Sequence, residues 1–148
     1  MSALDNLHNS VNKEMDDLEM TTHSFADLRT MDVDELGDLI GQYSVWKTRL
    51  EMLVGQYKSK AVSSKLAYEG ALSRQCYVLA KEYEANGHKP PAEKLREGEV
   101  LENNKDVRDY YDKYITYQAQ HDMMYGKYQS IETAYFSVQQ YRNMKLDR

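Results

Sequence analysis

Residues Val107 to Lys145 read VRDYYDKYITYQAQHDMMYGKYQSIETAYFSVQQYRNMK, and the reading of this stretch decides the fold. Val107, Tyr114, His121, Tyr128, Tyr135 and Arg142 recur every seven residues, with Tyr110, Tyr117, Met124, Ile131, Val138 and Lys145 between them. Two interleaved series at that spacing are the a and d positions of a heptad, which put one apolar stripe on one face of a helix. A helix of ~38 residues extends ~57 Å at 1.5 Å per residue, more than a small protomer covers with its own mass. Tyr111, Tyr125 and Tyr141 widen the apolar face beside the seam. Tyrosine buries a large ring while keeping its hydroxyl at a wet edge, which suits an interface. The stripe predicts self-assembly through Tyr110, Tyr114, Tyr117, Met124, Tyr128, Ile131, Tyr135 and Val138. The competing arrangement packs the same stripe on another helix of its own chain, and heptad length is what favours assembly.

Upstream, a second helical pattern runs from Asp34 to about Ala85. Leu36, Leu39, Tyr43, Trp46, Leu50, Leu53 and Tyr57 alternate by three and four, and Ala61, Tyr68, Leu72 and Leu79 continue the stripe less cleanly. Asp32 and Glu35 are spaced as a capping box at its start. Gly41, Gly55 and Gly70 each weaken a helix by ~1 kcal/mol relative to Ala. Ser63-Ser64 and Glu69-Gly70 are therefore the expected kink or break. Asn86-Gly87 followed by Pro90-Pro91 stops the helix, and Pro91-Ala92-Glu93-Lys94 starts another. A minor boundary falls at Asn103-Asn104. Near the beginning, Leu4, Leu7, Val11, Met15 and Leu18 form the stripe of a short helix, marginal in water unless it docks. The reading is an all-α, elongated protomer assembling into a ring-like homo-oligomer. It divides into an arm at 1–31, a basic helical segment at 32–89 and C-terminal helices at 90–148.

Composition narrows the classes. The chain has 148 residues, 41% apolar and 29% charged, as an ordinary folded protein does. Seven Gly and two Pro are too few for the turns of an all-β fold. Cys76 is the one cysteine, which excludes a disulfide framework and fits a reducing, cytoplasmic setting. The start Met1-Ser2-Ala3-Leu4-Asp5-Asn6 lacks the basic and apolar run of a signal peptide, and no run of ~20 apolar residues would span a membrane. No Gly-Lys-Ser/Thr loop is present for a nucleotide phosphate. His8, His23, His88 and His121 lack metal-ligand spacing. Nothing nominates a nucleophile or a general base, so the expectation is a protein without enzymatic activity, metal or cofactor.

Charge is unevenly spread. Residues 1–46 balance at −8, residues 47–74 at +4 and residues 75–148 at −1. The basic middle carries Lys58, Lys60, Lys65 and Arg74 among the rings of Tyr57, Tyr68 and Tyr77. Cations for phosphates and ring faces for bases are what single-stranded nucleic acid requires. A solvated lysine-rich face has the same composition. Repetition in a ring would turn each local +4 into a cationic belt despite the acidic total.

These features meet in a family resemblance. Tyr43-Ser44-Val45-Trp46 resembles the Tyr-Ser-Lys-Trp near the start of the first long helix in UvsY-type recombination mediators of T-even-type bacteriophages. Glu93-Lys94, Val100-Leu101 and Lys105-Asp106-Val107 resemble that family's Glu-Lys, Val-Leu and Lys-Asp-Val at the same internal spacing. Lys60-Ala61-Val62-Ser63-Ser64-Lys65 is similar to its basic helical run, so the resemblance covers roughly residues 36–145. It implies closed rings of six or seven chains, joined through the C-terminal region, that bind single-stranded DNA and hydrolyse no nucleotide. It implies contact with a single-strand-binding protein and a RecA-like recombinase, and exchange of the first for the second. The family's Lys-x-Arg pair is matched at Lys65, but Ala67 stands where the Arg belongs; Lys58, Lys60 and Arg74 are the cations that compensate. A coiled-coil scaffold or adaptor without a nucleic-acid role is the alternative. The acidic arm reads as a cover for the basic belt, a recruiting segment or a solubilising tail.

Overall fold

The computed structural model describes residues 28–147 together with residues 3, 5, 6, 8–10, 12 and 13. Leu4, Leu7, Val11, Met15 and Leu18, which carry the expected N-terminal stripe, lie outside the described residues, as do 14–27. Those described between 3 and 13 are helical. Three helices follow: α1 over Val33–Ala85, α2 over Glu93–Asn103 and α3 over Lys105–Leu146. No strand occurs among the described residues, so the fold is all-α.

Local chemistry explains the boundaries. The Asp32 carboxylate accepts a 2.8 Å bond from the Glu35 amide, satisfying one of the unpaired N–H groups at the start of α1. At the other end Gly87 takes φ +77°, open to glycine without a Cβ penalty. There His88 N–H donates to Tyr83 C=O at 2.9 Å and Gly87 N–H to Glu84 C=O at 3.0 Å, a Schellman closure. Asn104 separates α2 from α3 and serves both: its N–H donates to Val100 C=O and its side-chain oxygen accepts from Val107 N–H. The expected break in α1 at Ser63-Ser64 or Gly70 does not occur, and the helix is continuous over 53 residues. Tertiary packing supplies more than the glycines cost, because Ala61, Ser64, Ala71 and Leu72 around them are all buried.

The chain forms two compact units, residues 1–55 with 123–148 and residues 56–122. In the first, Leu36, Tyr43, Leu50 and Leu53 of α1 are buried, as are Met124, Ile131 and Val138 of α3. The two segments run antiparallel: Lys47 Nζ lies 3.7 Å from Glu132 Oε2 and over the rings of Tyr135 and Phe136, while Arg142 Nε donates to Val33 C=O. Lys145 Nζ donates to the carbonyls of Arg29 and Met31. The two polar heptad positions at the end of α3 thus fasten the chain entering α1. Lys127 Nζ donates to Asn12 Oδ1 at 2.7 Å, which brings the N-terminal helical residues against the same helix. Burial and the Lys127 charge push the nearby His8 imidazole down from its ordinary range.

In the second unit Ala71, Leu72 and Cys76 of α1 pack with Val100 of α2 and Val107 of α3. Tyr68 lies parallel to Tyr114 at 6.4 Å and tilted on Tyr111 at 5.1 Å. The Tyr83 hydroxyl donates to Glu99 at 3.0 Å, tying the end of α1 to α2. The heptad of α3 is thus not left bare for another chain. Val107, Met124, Ile131 and Val138 are at most 4% exposed within this one. Within the protomer α1 covers these four seam positions, while Tyr110 of the same series is 43% exposed.

Candidate nucleic-acid interface

Lys58, Lys60, Lys65 and Arg74 all project from α1 within the second unit, and all four are exposed. The helical repeat sorts them. Lys58 and Lys65, seven residues apart, share one flank of the buried stripe. Lys60 and Arg74, fourteen apart, share the other, with Ala67 midway between them. The structure therefore brings the four cations onto one helix but not onto one face. Lys65 Nζ sits 3.9 Å from Glu69 in an exposed i,i+4 pair, which restrains it weakly. No ion pair engages Lys58, Lys60 or Arg74 among the described residues.

The aromatic half of the expected site is rearranged. Tyr57 is 1% exposed and has no ring face to offer a base, so its assignment as a stacking platform is corrected. Its place on the apolar stripe, rather than its ring, decides where it goes. Tyr68 is half-buried among Tyr111 and Tyr114, and burial is the main cause that pushes its phenol up. The accessible rings of this unit are Tyr77 at 66%, Tyr110 at 43% and Tyr111 at 39% exposure. Tyr110, expected at an assembly seam, lines a groove together with Tyr77, Arg74 and Lys113. Lys113 escapes a sequence reading centred on the basic middle. Its one signal is that it follows Tyr110 by three residues, on the same helix face.

Of the other expected assembly residues, Tyr114, Tyr117, Tyr128 and Tyr135 are half-buried, and Tyr128 donates to Glu132 at 2.9 Å. Cys76 is buried, and that burial pushes its thiol up, away from the thiolate that nucleophilic chemistry needs. Among the described residues no group of three or more His, Cys, Asp or Glu is placed to hold a metal ion, and no helix is long and apolar enough to cross a membrane. Comparison with protein-family models, curated proteins and solved structures found no match for this chain.

Proposed function

We propose that this chain is a recombination mediator of the UvsY type, binding single-stranded DNA and loading a RecA-like recombinase in place of a single-strand-binding protein, without a catalytic step. The observation that supports it is the set of exposed cations Lys58, Lys60, Lys65 and Arg74 on α1, in a chain whose total charge is −5. Helix α1 as a whole is neutral, with seven basic and seven acidic residues, and its cations gather in residues 47–74, which balance at +4. A polyanionic strand gives them a partner. Self-assembly, as a hexamer or heptamer through α3, would repeat the set around one particle. Linking weak sites raises avidity by ~10²–10⁴-fold with no new contact type. Exchange then proceeds by mass action: the ring occupies the strand and shifts the competition between the two proteins that coat it.

Affinity for an unstructured oligonucleotide across a salt series tests the reading. Log affinity should fall linearly with log salt, by about 0.7 per phosphate neutralised. Lys60→Ala with Arg74→Ala, and Lys58→Ala with Lys65→Ala, should each weaken binding and flatten that slope. An affinity indifferent to salt, or a quadruple variant that binds like wild type, removes the proposal.

A scaffold or adaptor is the second reading, and large apolar side chains on the outside favour it. Val62 and Leu66 on α1, and Ile115, Met123 and Phe136 on α3, are 44–65% exposed. Native mass spectrometry with and without an oligonucleotide separates the two, since only the mediator gains the mass of the strand.

A further inference from the structure

We infer that the outer face of α1 is a contact for a second copy of this chain, which lays its own α1 against it in the antiparallel sense. The inference goes beyond the strand-binding reading and needs no nucleic acid.

Helix α1 carries two stripes. Leu36, Tyr43, Leu50, Leu53 and Tyr57 are buried within the protomer. On the opposite side of the helix Gly41, Val45, Thr48, Met52, Gly55, Ser59, Val62 and Leu66 follow one another by alternating steps of four and three, and all are exposed. That alternation is a second heptad seam. It runs from Gly41 to Leu66 without a charged side chain, in a chain that is 29% charged. Val45, Met52, Val62 and Leu66 on it are 48–65% exposed. Gly41 and Gly55 have open space where a Cβ would stand. Glycine weakens a helix interior, and no neighbour within the protomer requires these two. A second helix approaching closely does. The Thr48 hydroxyl donates to Ser44 C=O at 3.0 Å, so it asks for no partner across the seam.

Size and charge both select a second copy as the occupant. In an antiparallel pair related by a twofold axis, one register sets Leu66 over Gly41, Met52 over Gly55, Val62 over Val45 and Ser59 over Thr48. The two largest side chains then enter the gaps that glycine leaves. The same register puts Glu51 of each copy beside Lys58 of the other, twice by symmetry. These flank the seam at the positions whose charges set partner and orientation in paired helices. Both side chains are exposed, and no ion pair engages either one among the described residues. A parallel pair would set Glu51 against Gln56 and Lys58 against Ser63, with no ion pair formed. Lys60 and Arg74 lie outside the seam and stay accessible to a strand. Combined with assembly through α3, a twofold contact on α1 makes the number of chains even, so six close it and seven do not.

Co-expression of two full-length variants tests this, each carrying Cys76→Ala so that no native thiol competes. Gly41→Cys in one and Leu66→Cys in the other face each other only in the antiparallel register. With oxidised glutathione the pair should give a covalent dimer on a gel run without reductant, and either variant by itself should give little. Glu51→Lys and Lys58→Glu should each weaken association by about tenfold in sedimentation, and the two together should restore it. All these positions but the buried Cys76 are exposed, and unchanged helicity by circular dichroism separates lost contact from lost folding. No covalent dimer from the pair, equal cross-linking of each variant by itself, or a charge-swapped double variant no better than its singles overturns the inference. Each of those outcomes is read without nucleic acid and leaves the strand-binding reading standing.

Discussion

Tyr43 is 1% exposed, and burial pushes its phenol up to about 12. An unfolded chain holds a tyrosine near pKa 10. Below pH 10 the phenol is neutral in both states, and its full contribution to stability is present. Between about pH 10 and 12 the unfolded chain loses the proton first, so stability falls as pH rises. Two pK units correspond to on the order of 2–3 kcal/mol. Tyr83 and Tyr128 shift in the same direction, each chiefly because its hydroxyl donates to a carboxylate, Glu99 or Glu132. We predict that urea midpoints at pH 9 and pH 11 differ by less in Tyr43→Phe than in wild type. Equal losses in the two proteins would assign the alkaline sensitivity elsewhere. Tyr57 teaches the same lesson from another direction. Thirteen tyrosines are one residue type in the sequence, yet one is sealed in the core and another, Tyr77, is 66% exposed.

Helix boundaries were legible because capping is local chemistry. Asp32, Asn86-Gly87, Pro90-Pro91 and Asn103-Asn104 all mark ends where the structure has them, since each acts on backbone groups within a few residues. The kink expected at Ser63-Ser64 or Gly70 was misread because propensity describes an isolated helix, and α1 is not isolated. Two glycines make the contrast measurable. Gly70 lies inside α1 with open space where a Cβ would go, so Gly70→Ala should raise stability by about 0.5–1 kcal/mol. Gly87 sits at φ +77°, also in open space, and Gly87→Ala should lower stability by about 1–2 kcal/mol. Urea unfolding of the two variants should show opposite signs. Asn104→Ala removes the cap of α3 and should cost about 1 kcal/mol. A neutral result there would mean that the Val107 amide is satisfied without Asn104.

For the molecule as a whole, α3 carries both buried and exposed large apolar side chains. Met124 and Val138 are fully buried and Val107 and Ile131 nearly so, whereas Ile115 and Met123 are 44% exposed. Core and exposed positions are therefore separable by substitution. Met124→Ala should destabilise the protomer by about 2–5 kcal/mol. If the proposed assembly forms through α3, Ile115→Glu with Met123→Glu should keep helicity and lower its mass measured by light scattering. A wild-type chain that runs as a single protomer at working concentration would end the assembly reading, and the avidity mechanism with it.

The amino-acid sequence by itself determined the helical class, the ends of three helices and the positive balance of residues 47–74 within the first, because each follows from patterns within a few turns of chain. It also showed that α3 carries an apolar stripe needing cover. Only the tertiary structure decided what covers it, since periodicity records that a face is apolar and not which helix lies opposite. The same holds for the cations and rings. Spacing placed Lys60, Arg74, Tyr77 and Tyr110 on their helices, and packing of α1 against α3 in the second unit set Arg74, Tyr77 and Tyr110 around one groove.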